Sequence, residues 1–147
     1  MWDIEDMPKM KRNAFTLLEI LVVISIIGIL VALGTAAYSS TQKKGRDAKR
    51  KSDIKAIQNG FEQYHARENA YPTAEAEAND TTIFPAGLPE DPKNSDENVY
   101  TISYGADAYC VCALLESTNG NASGLPAGGA TTCSYGTGSY FCLSNLQ

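Results

Sequence analysis

At 147 residues, with 17 acidic and 12 basic side chains and four cysteines, the chain is too short for two ordinary domains beside a membrane segment. Its charge is divided unevenly, net 0 over residues 1–14, +3 over 15–70 and −8 over 71–147, and so acidic a distal region disfavours long-range attraction of nucleic acid. The chain has no Gly-rich phosphate loop, metalloprotease helix or nucleophile elbow, and this argues against an enzyme.

Residues 1–14 are a polar leader, with Lys9, Lys11 and Arg12 just before the small Ala14. Phe15 to Leu33 then reads FTLLEILVVISIIGILVAL, an apolar helix with a single carboxylate, Glu19. The uncharged run from Ile20 to Gln42 is long enough to cross a bilayer core, for which roughly 20 residues at about 1.5 Å each suffice. Its Ile, Leu and Val fill every face rather than one stripe, which suits lipid or a helix bundle and not water. A carboxylate inside such a segment costs several kcal/mol and calls for a partner. A secretory signal would be cut after its apolar region, whereas here the polar to apolar junction precedes it. Cleavage at Ala14/Phe15 would leave the hydrophobic helix on the mature chain, with a new amine at Phe15.

This arrangement resembles the prepilin family, the type IV pilins and the pseudopilins of type II secretion and competence systems. The family pattern of a basic leader, a small residue and Phe-Thr-Leu-apolar-Glu is matched by Ala14, Phe15, Thr16, Leu17, Leu18 and Glu19, and the resemblance runs from position 9 to 38. It implies cleavage after Ala14 by a prepilin peptidase and N-methylation of Phe15. Assembly would then run through Phe15, Thr16 and Glu19, the Glu19 carboxylate meeting the Phe15 amine of a neighbouring copy on an inner-membrane assembly platform. Ala14 stands where the family usually has Gly, and Ala36 where many members have a kinking Pro.

Six basic residues, Lys43, Lys44, Arg46, Lys49, Arg50 and Lys51, follow the apolar run. A count of positive charges alone would put the C-terminal side in the cytoplasm. Four distal cysteines favour an oxidising, extracytoplasmic site, and the leader resemblance implies the same: a single-pass protein with a cytoplasmic N-terminus, displayed on a surface filament once assembled. The basic cluster then reads as a collar against lipid headgroups or as a charge partner for another copy, with a plain solvated face as the competing reading.

Beyond Gly45 the helix continues as an amphipathic one. Ile54, Ile57, Phe61 and Tyr64, three, four and three apart, form one stripe, and the expected stop is at Tyr71-Pro72. His65, the only histidine, reads as a solvent-facing helix residue. Residues 73–98 read as a long loop. Its acids Glu90, Asp91, Asp96 and Glu97 offer the hard oxygens that calcium takes, though not at EF-hand spacing. The resemblance to major pseudopilins implies calcium in this general region, and a solvated acidic loop is the other reading; no other cofactor is expected.

Alternating residues 99–104 and 108–115 predict a hairpin, residues 117–132 a second loop and 139–143 a third strand. Cys110 and Cys112 lie two apart on one strand, so they leave the same face and are poorly placed to bond each other. Pairing Cys110 with Cys142 and Cys112 with Cys133, or the exchange of these, stays open; zinc is the rival reading, at spacings unlike its usual ones. The expected organisation is a leader (1–14), a hydrophobic assembly helix (15–42), its amphipathic continuation (43–70) and a disulfide-stapled β-rich domain (71–147). This is an α+β fold, a long N-terminal helix packed on a small antiparallel sheet. Three functions fit: a structural subunit polymerising with itself and other pilins, a signal-anchored extracytoplasmic binding protein, or a pilin specialised for adhesion or DNA uptake.

Overall fold

The computed structural model describes residues 15–147. Helix α1 spans Leu17–Glu68 and a short α2 Glu75–Ala78. The strands are β1 (Thr101–Ser103), β2 (Cys110–Leu114), β3 (Gly120–Ala122), β4 (Tyr135–Gly138) and β5 (Tyr140–Ser144), in one antiparallel sheet of order β1-β2-β5-β3-β4. This is the expected α+β architecture of a long helix with a small sheet. The chain divides into two compact units, Met1–Ser39 and Ser40–Gln147.

Within α1 there is no proline to remove a ladder bond. The helix passes through Ala36 without a break. It ends at Glu68, before the expected Tyr71-Pro72, because Asn69 turns left-handed at φ 58° and closes its N–H on the His65 carbonyl at 2.8 Å. Asparagine tolerates that conformation better than most residues, so it sets the stop. Tyr71 and Pro72 are instead buried beyond the helix end.

The core of the second unit is built on the predicted stripe. Ile54, Ile57 and Phe61 are buried against Tyr71, Tyr109, Val111 and Ala113, with the Phe61 and Tyr71 rings each 4.9 Å from Tyr109 in edge geometry. Tyr64 stays half-exposed, so the buried stripe stops one turn short. His65 differs from the solvent-facing expectation, since it is half-buried with its ring 4.4 Å from Tyr71.

Strand β2 is buried on both faces. Val111 and Ala113 join the helix-side core, while Cys110 and Cys112 join a second cluster with Ala122 and Cys142. That second face is closed by two disulfides, Cys110–Cys133 and Cys112–Cys142, the exchanged one of the two open pairings. Cys112 lies directly opposite Cys142 in the β2/β5 register.

The stretch expected as a second loop contains β3, and β4 follows it. Gly120 pairs with Gly138, and a Cβ at either would sit 2.1 Å from the Tyr140 carbonyl oxygen or 2.3 Å from that of Ala122. The glycines that read as loop composition are what lets these backbones approach. The 73–98 segment is largely irregular as expected, apart from α2.

Gly60 is the seat for that segment, because a Cβ there would lie 2.1 Å from the tip of the Phe84 ring. Gly60→Ala should therefore lower stability by about 1–3 kcal/mol through overpacking, despite a gain of roughly 1 kcal/mol in helix propensity. Denaturant unfolding of the full chain in detergent measures this. In a Phe84→Ala background the same change should become neutral or favourable, and equal effects in both backgrounds would remove Phe84 from the site.

Candidate assembly site

The first turn of α1 is organised by Thr16. Its Oγ1 accepts the Glu19 N–H at 3.2 Å, and its carbonyl accepts the Ile20 N–H at 3.3 Å. Thr-x-x-Glu is the signature of a capping box, a local signal available in the sequence beside the assembly role expected for Thr16. The same arrangement places an acid where the helix dipole favours negative charge. Glu19 has no ion-pair partner among the described residues. Phe15 and Thr16 are exposed beside it; Ala14, on the other side of the expected cleavage point, lies outside the described residues, as do Lys9, Lys11 and Arg12.

From Phe15 to Lys44 every side chain described is exposed, including the whole Leu, Ile and Val run. Two hydroxyls within it bond back to the helix backbone, Ser25 donating to the Leu21 carbonyl at 2.7 Å and Thr35 to that of Ala32 at 3.0 Å. Hydrocarbon offers no other acceptor. By length and composition α1 is apolar enough to cross a membrane.

The basic cluster separates into two groups. Lys43 and Lys44 are exposed and make no ion pair among the described residues. The other four are engaged within the domain. Arg46 binds Glu116 at 2.5 Å and 2.7 Å, Lys49 binds Asp53 at 2.6 Å, and Lys51 donates to the Asn119 carbonyl and lies over the Phe141 ring. Arg50 is fully buried. It donates to Asp91 at 2.6 Å and 3.1 Å, to Asp47 at 2.9 Å, to Glu116 at 3.1 Å and to Asn98 at 3.4 Å. For Arg46 and Arg50 the collar reading is corrected: buried carboxylates hold them more strongly than solvent or headgroups can, since a buried charge must be paired, whereas Lys49 keeps an exposed side chain beside Asp53 and Lys51 meets no carboxylate among the described residues. The periodicity carried the clue, because Asp47 and Arg50 continue the Ile54, Ile57 and Phe61 stripe upstream at three- and four-residue steps.

Hydrogen bonds from Arg46, then Arg50 and Lys93, hold the Glu116 carboxyl down to about 2 against the opposing effect of burial. At Asp47 and Asp91 burial is the largest single influence and pushes upward. The bonds Asp47 accepts from Glu116, Ser117 and Arg50, and those Asp91 accepts from Arg50 and Lys93, outweigh it and leave both acids below the usual range.

Among the residues expected for calcium, Asp91 is buried with both oxygens on Arg50, and Glu90 accepts from Asn94 at 2.8 Å. Asp96 and Glu97 are exposed. The structure therefore does not gather the four into one site among the described residues. The cysteine sulfurs that lie close enough together for a metal belong to the disulfides.

The prokaryotic N-terminal methylation motif matches residues 9–35. The chain is 37% identical over 84 residues to type II secretion system core protein G of Aeromonas hydrophila, covering 57% of this chain and 59% of that one. It is 34% identical over 94 residues to the core protein G of Pseudomonas aeruginosa, covering 64% and 66%, and 41% identical over 63 residues to that of Escherichia coli, covering 43% of each. The chain thus spans less than two thirds of the length of these relatives. No solved structure matches it.

Replacing Arg50 by Met would leave Asp91 and Asp47 buried without their cation, and should cost about 3–5 kcal/mol. The folded pKa values of the three carboxylates are depressed, so their stabilisation is complete above the unfolded values near about 4 and is lost as pH falls toward about 2. Thermal midpoints of the full chain between those limits should fall steeply for the native sequence and much less for Arg50→Met. Parallel profiles would show that the network does not set acid stability.

Proposed function

We propose, from the N-terminal methylation motif and the similarity to type II secretion system core protein G, that this chain is a member of the type IV pilin and pseudopilin family, a structural subunit of a type II secretion-like pseudopilus and not an enzyme. It is anchored by a single membrane-crossing helix. Similarity to core protein G supports secretion over motility, adhesion or DNA uptake.

The observation that carries the mechanism is the Glu19 carboxylate, placed in the first turn of a helix whose apolar side chains from Leu17 to Leu33 are all exposed, and with no ion-pair partner among the described residues. A prepilin peptidase cuts after Ala14 and the new Phe15 amine is methylated. In hydrocarbon an unpaired carboxylate is costly, and the Phe15 amine of an adjacent copy is a cation that can pair with it. Four residues make about one turn, ~5.4 Å of axial offset, so this pairing sets register while apolar packing, which is non-directional, supplies attraction. The inner-membrane platform then adds copies, together with other pilins, to the filament.

The domain lies on the extracytoplasmic side, a reading supported by its two disulfides. The opposing count of positive charges is outweighed in this reading by the two disulfides and by the leader motif.

Two measurements test the proposal. Intact-mass analysis of membrane protein from cells with a prepilin peptidase should show loss of residues 1–14 and one methyl on Phe15, and an N-terminus at Met1 would contradict it. Glu19→Ala should leave insertion and the fold of the second unit intact while abolishing filaments seen by electron microscopy, with Glu19→Asp only partly defective. Normal filaments from Glu19→Ala would favour a signal-anchored binding protein instead.

A further inference from the structure

We propose that Asn79 is an acceptor for an N-linked glycan. The acceptor pattern Asn-x-Ser/Thr marks a surface loop whose asparagine can be glycosylated in an exported chain. It occurs twice here, at Asn79-Asp80-Thr81 and at Asn121-Ala122-Ser123. Bacterial oligosaccharyltransferases also read an acid two residues before the asparagine. Glu77 occupies that position for the first site, and Asn119 for the second.

The structure separates the two sites in the same direction. Both ends of the Asn121 amide are committed to the sheet, Nδ2 donating to the Cys142 carbonyl at 2.8 Å and Oδ1 accepting the Cys142 N–H at 2.7 Å. Asn79 is exposed at the end of α2, with Thr81 exposed beside it. Its Oδ1 accepts the Leu88 N–H at 3.0 Å, and its Nδ2 makes no hydrogen bond among the described residues. A glycan on Nδ2 would leave the Oδ1 bond in place. The side chain borders an open cleft of about 670 Å³, with Glu75, Glu90 and Tyr104 also on its lining. Carboxylates and a phenol ring there suit the hydroxyls and C–H faces of the first sugars. Beyond its turn bonds, the segment from Asp80 to Gly87 is held by Arg67 on Asp80 and Thr82 and by Phe84 at Gly60, so the exposed Asn79 and Thr81 are presented on a fixed turn.

The donor is a polyprenyl-pyrophosphate-linked oligosaccharide and the catalyst an oligosaccharyltransferase. The Asn79 amide nitrogen attacks the anomeric carbon and a C–N bond forms. The bond from that carbon to the pyrophosphate oxygen breaks, the electron pair leaves with the polyprenyl pyrophosphate, and the amide proton passes to a base of the transferase. The step takes place outside the cytoplasm and so rests on the orientation proposed above.

The test is made with the full chain in a bacterial host carrying such a transferase and its lipid-linked oligosaccharide. An Asp-Gln-Asn-Ala-Thr tag added after Gln147 reports whether the domain reaches the enzyme. Glycopeptide mass spectrometry should find glycan on the tag and on Asn79, and none on Asn121. Thr81→Ala and Asn79→Gln should each abolish the Asn79 signal, and Glu77→Gln should lower it at least tenfold with recovery in Glu77→Asp. A modified tag with bare Asn79, or equal modification of Asn121, would overturn the proposal while leaving the orientation standing. A bare tag and bare Asn79 together would overturn both.

Discussion

The second unit depends on a single buried guanidinium. Arg50 brings together three stretches distant in sequence: its own helix through Asp47, the acidic loop through Asp91 and the end of β2 through Glu116. An isolated buried charge costs far more than a domain of this size can offset, so the ion has to recover that cost through well-placed partners. Here every donor nitrogen of Arg50 has an acceptor. Fixed directions make such a cluster specific: a loop docked on it has one position, whereas a loop docked on apolar surface alone could slide. Asp47 extends this control by accepting the Glu116 and Ser117 N–H groups, which fixes the strand end where the chain leaves β2.

The sheet handles a different difficulty. A small domain buries too little surface to be comfortable, and β2 must be covered on both faces. The helix covers one face with Ile54, Ile57 and Phe61. On the other face the disulfides, with Ala122, fill that place. Cys112–Cys142 ties neighbouring strands, and Cys110–Cys133 brings in the connection before β4. The staples therefore act as core as well as cross-link.

What was legible in the sequence follows from which physical signals are local. Helix α1, its buried stripe, the β2 and β5 strands and the use of all four cysteines rest on periodicity or spacing, and they appear where expected. The pairing of the cysteines was not legible, because it depends on which strand lies beside β2. Strands β3 and β4 were missed since their glycines, required for close approach of Gly120 to Gly138, look like loop composition. A run of basic residues reads as a surface, whether a collar, a partner for another copy or a solvated face, and that composition hides the burial of Arg50. The position of each on the helical wheel was the better guide, and the Thr16 cap at the assembly end was likewise present in the local pattern.

Helix α1 thus serves two environments with one uninterrupted backbone ladder. Along its N-terminal turns the described side chains are exposed around the whole circumference, whereas along its C-terminal turns a single stripe is buried and the nearby charges are largely paired. Apolar faces attract without direction, so copies meeting through the N-terminal turns alone could settle at many axial offsets. A polar group at a fixed place removes that freedom, and among the described residues from Phe15 to Gln42 the only carboxylate side chain is that of Glu19. Pairing of the basic cluster within the domain has the complementary effect. It leaves Arg46, Lys49 and Arg50 paired in the single copy, so that Lys43 and Lys44 are the exposed members of the cluster without an ion pair among the described residues, and the register of assembly, in the proposed reading, is set by the Phe15 amine at the helix end.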